Sequence, residues 1–502
     1  MKEGKEKKQF VPHDYQKRGI DTIIQSPSVA LWWEPGLGKT VTTLSAILEL
    51  WLDRLQVGRV LIIAPLKVAE STWQSEIEEW EHLIPFTALA PAAEPHHDAR
   101  GSLRGAFQSE KFRKPVLLNP VTTIIGGRQQ RIEAYERAKS SVISIINRDN
   151  VLWLTQTVIE KDKGKWPWDM VVIDEATSFK NPSAKRFQAL KKFRGQIRRV
   201  VELTGTPASN GLMDLWAQMY LLDGGARLER TITAYRNRYF NYNEWKHQWS
   251  PKDGAERSIM GKVEDLCHSL TAAEYLSLPD FVVEDVRVDL TPAQLLRYKK
   301  FEKTSVLEIL KESKGSEVIA PGSAAVLTNK LLQYSSGAVY DEDGTVHELH
   351  EEKLKVFREI LEALSEPVLV FYKFRFDLDR ITSELDSQHK RYRVYRTEKD
   401  LDLWNSGELD VLVASPESCG YGLNLQHGGR RILWYTTTWS HEVYTQANAR
   451  LYRQGQTKPV IVQRLITTGT VDERVRAVLD GKASVHDFVM EYVKDYAKEF
   501  SE

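Results

Sequence analysis

Short apolar runs closed by turn residues recur through the first 220 residues and again from about residue 352. Val29–Trp33, Val60–Ala64, residues 121–125, residues 141–146, Met170–Ile173 and the RVVEL run at 199–203 show little polar alternation. Runs of this kind predict strands buried on both faces, as in a parallel sheet. Helical spacing separates them: Tyr15, Ile20 and Ile23/Ile24; Val41, Leu44 and Ile47/Leu48; Trp73, Ile77 and Trp80. Ser71-x-x-Gln74 predicts a capping box for the third of these helices. Residues 85–115 carry Pro, Ala and Gly without a period and predict a loop. From about 221 the alternation dissolves, and 221–351 predicts a mostly helical insertion broken at 311–323. Strands are predicted again at 367–372, 411–415, 431–435 and 460–467, with helices at 377–385 and after Thr470. The pattern gives an α/β chain: a domain over 1–220, the insertion, a second domain over 352–480, and a C-terminal helix over 481–502.

Candidate chemistry lies where these runs end. After Trp33 the chain turns at Pro35-Gly36 and enters a helix through Gly36-Leu37-Gly38-Lys39-Thr40. Glycines let backbone wrap an anion, and the N–H groups of a helix start converge on it. Lys39 can reach terminal phosphates and Thr40 can offer a hydroxyl to Mg²⁺, which makes a nucleoside-triphosphate cradle. The pattern GxxxxGK[ST] would place a glycine at 33, where this chain has Trp33. Asp174-Glu175 follows the run 170–173, at the sheet edge where doubly wound folds bind ligands. Asp174 is suited to hold Mg²⁺, and Glu175 to orient and deprotonate a water. Thr204-Gly205-Thr206-Pro207 reads as capping, with Thr206 as N-cap and Pro207 in the first helical turn. Gln446, Arg450 and Arg453 are spaced four and three apart, which puts them on one helix face closed by Gly455, and two arginines there invite a phosphate.

Composition adds limits. At 502 residues the chain exceeds one core, and its 42% hydrophobic and 27% charged residues are those of a soluble protein. Lys+Arg and Asp+Glu balance at 69 each, so net charge gives no nucleic-acid signal, although a local basic groove is compatible with it. Two cysteines, Cys267 and Cys419, build neither a cysteine zinc site nor a disulfide framework, which suits a cytoplasmic setting. No apolar run approaches a membrane span, and MKEGKEKKQF lacks the core of a signal peptide.

Taken in order, the chain reads Gln16; GLGKT; PLKVAESTWQSEIEEW; DEAT; TGTPASN; a helical insertion; GYGLNLQ; QANARLYRQGQTKPV; TGTVDERV. This order, from about 10 to 482, resembles the Snf2 (Swi2/Snf2-like) family of superfamily-two helicase-related ATPases, and in its brevity a minimal bacterial or phage member. The resemblance implies two RecA-like domains with ATP between them and DNA across both. It implies that Gln16 reads adenine, that Gly36, Leu37, Gly38, Lys39, Thr40 and Gly422 bind nucleotide, and that Thr40 and Asp174 hold Mg²⁺. Glu175 would be the catalytic glutamate, and Arg450 and Arg453 the pair that reaches the γ-phosphate. Thr204, Gly205, Thr206 and Gln446 would couple hydrolysis to DNA; Lys67, Arg375 and Ser415 are candidate nucleic-acid contacts. Four departures stand out: Trp32-Trp33-Glu34-Pro35 before the cradle, Thr177 in place of a histidine, Cys419 in place of a glycine, and no Arg-Arg pair ahead of Leu278-Pro279. The implied function is a DNA-dependent ATPase, a hydrolase translocating on double-stranded DNA through phosphate contacts. Alternatives are a strand-separating helicase and a non-catalytic ATP-dependent clamp. The implied setting is the cytoplasm, the nucleoid or a phage host, with no membrane, and the implied partners are double-stranded DNA and an unidentified protein.

Overall fold

The computed structural model describes residues 7–87, 120–205, 207–208, 211–244, 248–271, 278–312, 321–363, 365–419 and 423–481. The chain forms two compact units, Met1–Asn241 with Ser250–Tyr275, and Tyr242–Trp249 with Leu276–Glu502.

The first unit is built on a parallel sheet of seven strands: β1 Ser28–Trp33, β2 Val60–Ala64, β3 Val121–Ile124, β4 Ile143–Asn147, β5 Met170–Asp174, β6 Arg199–Thr204 and, after a hairpin (β7 Phe240–Asn243, β8 Gln248–Pro251), β9 Cys267–Leu270. Their order is β3-β4-β2-β5-β6-β1-β9. The apolar runs are central strands: every residue of β2 and β4 is buried, as parallel strands covered on both faces require. One departure from that rule is Glu202. It lies inside β6, paired in register with Ala30 and Ile173, and is fully buried.

The second unit carries a parallel sheet of six strands: β10 Phe281–Val288, β13 Val368–Phe371, β14 Tyr392–Val394, β15 Val411–Ala414, β16 Arg431–Trp434 and β17 Val460–Thr467, in the order β10-β17-β16-β13-β15-β14. A hairpin, β11 Ala338–Tyr340 and β12 Val346–Glu348, lies between the first two of these in sequence. Alternate residues of β13 serve separate cores. Leu369 and Phe371 join Leu331, Leu332 and Trp434, while Val368 and Val370 join Phe357, Ile381 and Tyr435.

The segment 221–351 is divided between the units. It gives β9 to the edge of the first sheet and β10 to the edge of the second. Its helix Pro321–Ser336 covers one face of the second sheet through Leu327, Leu331 and Leu332. The fold is therefore α/β with two RecA-like parallel-sheet domains, and much of the intervening helical segment builds on the second. The helix expected over 481–502 lies outside the described residues after Gly481. No helix among the described residues is long and apolar enough to cross a membrane.

Candidate nucleotide site and a basic cavity

Strand order brings the candidate groups of the first unit to one edge. β5, β6 and β1 are neighbours, so Asp174, Thr204 and the cradle after Trp33 leave the sheet at its carboxyl end. Gly36 and Gly38 have φ of +90° and +74°, conformations that a Cβ disfavours, and Leu37 between them is buried. Lys39 opens the helix Lys39–Leu48 and folds its Nζ back onto the carbonyls of Trp33 (2.7 Å) and Glu34 (3.3 Å). Thr40 is the second residue of that helix. The loop thus holds a cation against its own oxygens, in reach of any anion the cradle takes.

Gln16 meets the same loop from the helix Asp14–Gln25. It is buried, accepts the His13 N–H at Oε1 (2.9 Å) and donates from Nε2 to the Leu37 carbonyl (3.4 Å). A Cβ on Gly38 would stand 2.5 Å from that Nε2. Trp33 turns its ring away from the cradle. The indole donates to His268 Nδ1 on β9 (2.8 Å), crosses Tyr15 edge-on at 5.5 Å and fills the space left by Gly19, whose Cβ would lie 2.5 Å from it. Only the backbone carbonyl of residue 33 faces the lysine, which is why the glycine of the general pattern is dispensable here. Burial lowers the His268 pKa, so the ring is held neutral and able to accept.

Asp174 ends β5 and accepts the Trp73 indole N–H at Oδ2 (3.0 Å). Glu175 follows in the left-handed region, φ 54° and ψ 60°, a position that strains a residue with a Cβ by about 1–2 kcal/mol. Such strain is often kept where a side chain must be aimed. Thr204 is fully buried, and Gly205 touches the cradle: its Cβ would lie 3.1 Å from Pro35. Gln218 holds the next turn by donating to the carbonyls of Pro207 (2.7 Å) and Asp214 (2.9 Å). The sequence places Trp73 on a helix face without its link to Asp174 and does not mark Gln218, because a buried Trp or Gln on a helix carries no spacing signal for its partner.

Three local expectations change. Pro207 lies in a turn rather than a first helical turn, since helix resumes only at Leu212; Thr206 lies outside the described residues. Ser71 is not a cap: the helical turn already begins at Val68, and Ser71 Oγ donates to the Lys67 carbonyl (3.0 Å). Arg450 and Arg453 are not on the helix of Gln446, which runs His441–Asn448. The chain leaves it because Asn448 Oδ1 takes the Trp434 indole (3.0 Å) and the Arg450 carbonyl takes the Leu425 N–H (3.1 Å). The two arginines sit in the following turns, which Gly455 (φ +97°) closes. Arg453 Nη1 donates to the Leu423 carbonyl (3.3 Å), and Gln446 donates to Glu442 (3.3 Å). All three belong to the second unit, and Gly422 lies outside the described residues.

Lys67 is exposed just beyond β2 in the first unit. Arg375 and Ser415 meet in the second unit, in a cavity of about 810 Å³ at the carboxyl ends of β13, β15 and β14. Lys373, Arg375 and Arg396 line it, against Asp379 and Glu417, and Asn329 of the Pro321–Ser336 helix completes one wall.

The SNF2-related domain matches residues 15–334 of this chain. The putative protein p41 of Acyrthosiphon pisum secondary endosymbiont phage 1 is 31% identical over 97% of this chain and 99% of its own. The uncharacterized ATP-dependent helicase MG018 of Mycoplasma genitalium is 26% identical over 93% of this chain, which spans only 41% of that longer relative. Among solved structures, the Sulfolobus solfataricus SWI2/SNF2 ATPase core in complex with dsDNA is 21% identical, covering 94% of this chain and 91% of that one at a TM-score of 0.42. With the match running from the helix of Gln16 through the cradle and into the second unit's covering helix, the chain belongs to the SNF2-related family and is an ATP hydrolase.

Proposed function

We propose that this ATPase is stimulated by double-stranded DNA and translocates along it. The observation that carries the reading is the basic cavity at the carboxyl edge of the second sheet, on the same chain as the glycine cradle that positions Lys39. Three cationic side chains against two carboxylates suit backbone phosphates rather than base edges. The duplex in the Sulfolobus structure belongs to that relative and supports the same reading for this chain.

In this account Gln16 reads adenine, and Lys39 exchanges the Trp33 and Glu34 carbonyls for phosphate oxygens. Thr40 and Asp174 hold Mg²⁺; the glycine cradle and the oriented Asp174 carboxylate fit a metal-bound triphosphate. That ion, when bound, neutralises phosphate charge. Glu175 orients the attacking water and takes its proton. Arg450 and Arg453 supply positive charge to the γ-phosphate. Thr204, Gly205 and Gln446 relay nucleotide state to DNA, and Lys67, Arg375 and Ser415 contact the backbone.

Duplex binding measured across a salt series tests this. Affinity is expected to fall steeply with salt and to vary little with sequence. Salt-insensitive binding, or binding confined to one sequence, contradicts it. A strand-displacement assay on the same preparation should show ATP turnover without separated strands; efficient separation would make the protein a helicase instead.

A further inference from the structure

We propose that Asn329 is a nucleic-acid backbone contact of the second unit, held in place by a two-serine clamp at the far end of its helix. The inference rests on reading the basic cavity as the DNA site.

Asn329 is exposed and lines that cavity with Lys373 and Arg375. Its helix ends at Ser336, seven residues on and so about 10 Å along the axis. The end is fixed by two adjacent serines that reach different elements. Ser335 Oγ donates to Asp472 Oδ1 (2.8 Å), and that carboxylate also takes Lys353 Nζ (2.7 Å) and the Thr467 N–H (3.0 Å). Ser336 Oγ donates to Asp377 Oδ1 (2.5 Å) and receives Thr436 Oγ1 (2.8 Å). Both serines, both carboxylates and Lys353 are buried. Next comes Gly337, at φ +108°, where a Cβ would collide with the His350 carbonyl at 2.3 Å. Arg380 seals the end by donating to the carbonyls of Ser336 (3.3 Å) and Gly337 (3.0 Å).

Asp377 links this clamp to the opposite wall. Its Oδ2 accepts the Phe374 N–H (3.1 Å) and, more weakly, the Lys373 N–H (3.4 Å). One buried carboxylate therefore fixes both the helix that presents Asn329 and the turn that presents Lys373 and Arg375. Burial raises the pKa of this carboxyl, and the Ser336 hydroxyl and the Phe374 amide offset only part of that rise. Asn329 adds a neutral donor to a cavity lined by cations, suited to a phosphate or sugar oxygen already steered in by charge.

Neutrality makes the role testable with the full chain and a fluorescent duplex over a salt series. Asn329→Ala is expected to weaken binding about 2- to 10-fold at every salt concentration with an unchanged salt slope. Arg375→Ala, removing a charge, should lower the slope by about one. Ser336→Ala should reproduce the Asn329→Ala loss, leave ATP affinity alone, and add nothing in an Asn329→Ala background. Wild-type binding by Asn329→Ala alongside a reduced slope for Arg375→Ala overturns this inference and leaves the DNA reading standing. Wild-type binding by both variants overturns the inference and the cavity's role together. Additive losses for Ser336→Ala and Asn329→Ala overturn the clamp. Should Ser336→Ala fail to fold, the exposed Asn329→Ala still decides the contact.

Discussion

At the scale of single residues, the proposed nucleotide site divides its work between charge and proton transfer. With Lys39 proposed as the counter-charge, Lys39→Ala should abolish turnover and nucleotide affinity together. Glu175→Gln should bind ATP nearly as the parent does and fail to hydrolyse it, since Asp174 and Thr40 remain. Titration of both variants with a fluorescent ATP analogue separates the roles; equal loss of affinity in both would contradict them. Glu202 makes a different claim. Both its carboxyl oxygens lack a hydrogen-bond partner among the described residues, and burial raises its pKa well above the ordinary carboxylate value, with Arg194 opposing. Above about pH 4.5 the unfolded chain releases this proton while the folded chain keeps it, so folding weakens as pH rises through that range. Glu202→Leu should therefore stabilise the first unit by about 1–3 kcal/mol at neutral pH and flatten its stability–pH curve. Chemical denaturation at pH 4 and pH 7 checks this; a variant less stable at pH 7 would mean that Glu202 has a partner.

At the scale of elements, the sequence announced the central strands because four to six apolar residues between turns have few other solutions. Its misses have physical causes. β9 is a four-residue edge strand, Cys-His-Ser-Leu, too short and polar to show a period. β10 is mostly exposed along its length, so it lacks the apolar run that marks a buried strand. The helix of Gln446 stopped early because Asn448 and the Arg450 carbonyl had tertiary partners, which propensity cannot foresee. The cradle itself was legible, while the reason Trp33 is tolerated was not, since Gly19 and His268 are distant in sequence. The cradle's coupling to Gln16 gives a test with a built-in control. Gly38 (φ +74°) and Gly164 (φ +75°) are equally strained for alanine, yet only at Gly38 would a Cβ meet a neighbour, Gln16. Both Gly→Ala variants should lose about 1–2 kcal/mol of stability. Only Gly38→Ala should also lose ATP affinity and discrimination against GTP, measured by competition binding; unchanged discrimination would remove Gln16 from base recognition.

At the scale of the whole molecule, the groups assigned to one reaction lie on two units. The cradle, Asp174 and Glu175 belong to the first, and Arg450, Arg453 and the basic cavity to the second. The family and the α/β pattern could be read from motif order, because the cradle, Asp174-Glu175 and Thr204-Gly205 each sit where a strand ends. The division of 221–351 between the two sheets could not, because it depends on which long-range pairs β9 and β10 find. If hydrolysis needs both units, DNA acts by bringing the arginines to the nucleotide. The decisive measurement is ATP affinity and turnover, with and without duplex DNA, on parent and Arg453→Ala protein. The account predicts that Arg453→Ala binds ATP normally, loses about 10³–10⁵ in rate, and no longer responds to DNA. A variant that DNA still stimulates would leave the first unit hydrolysing ATP alone and contradict the two-unit mechanism.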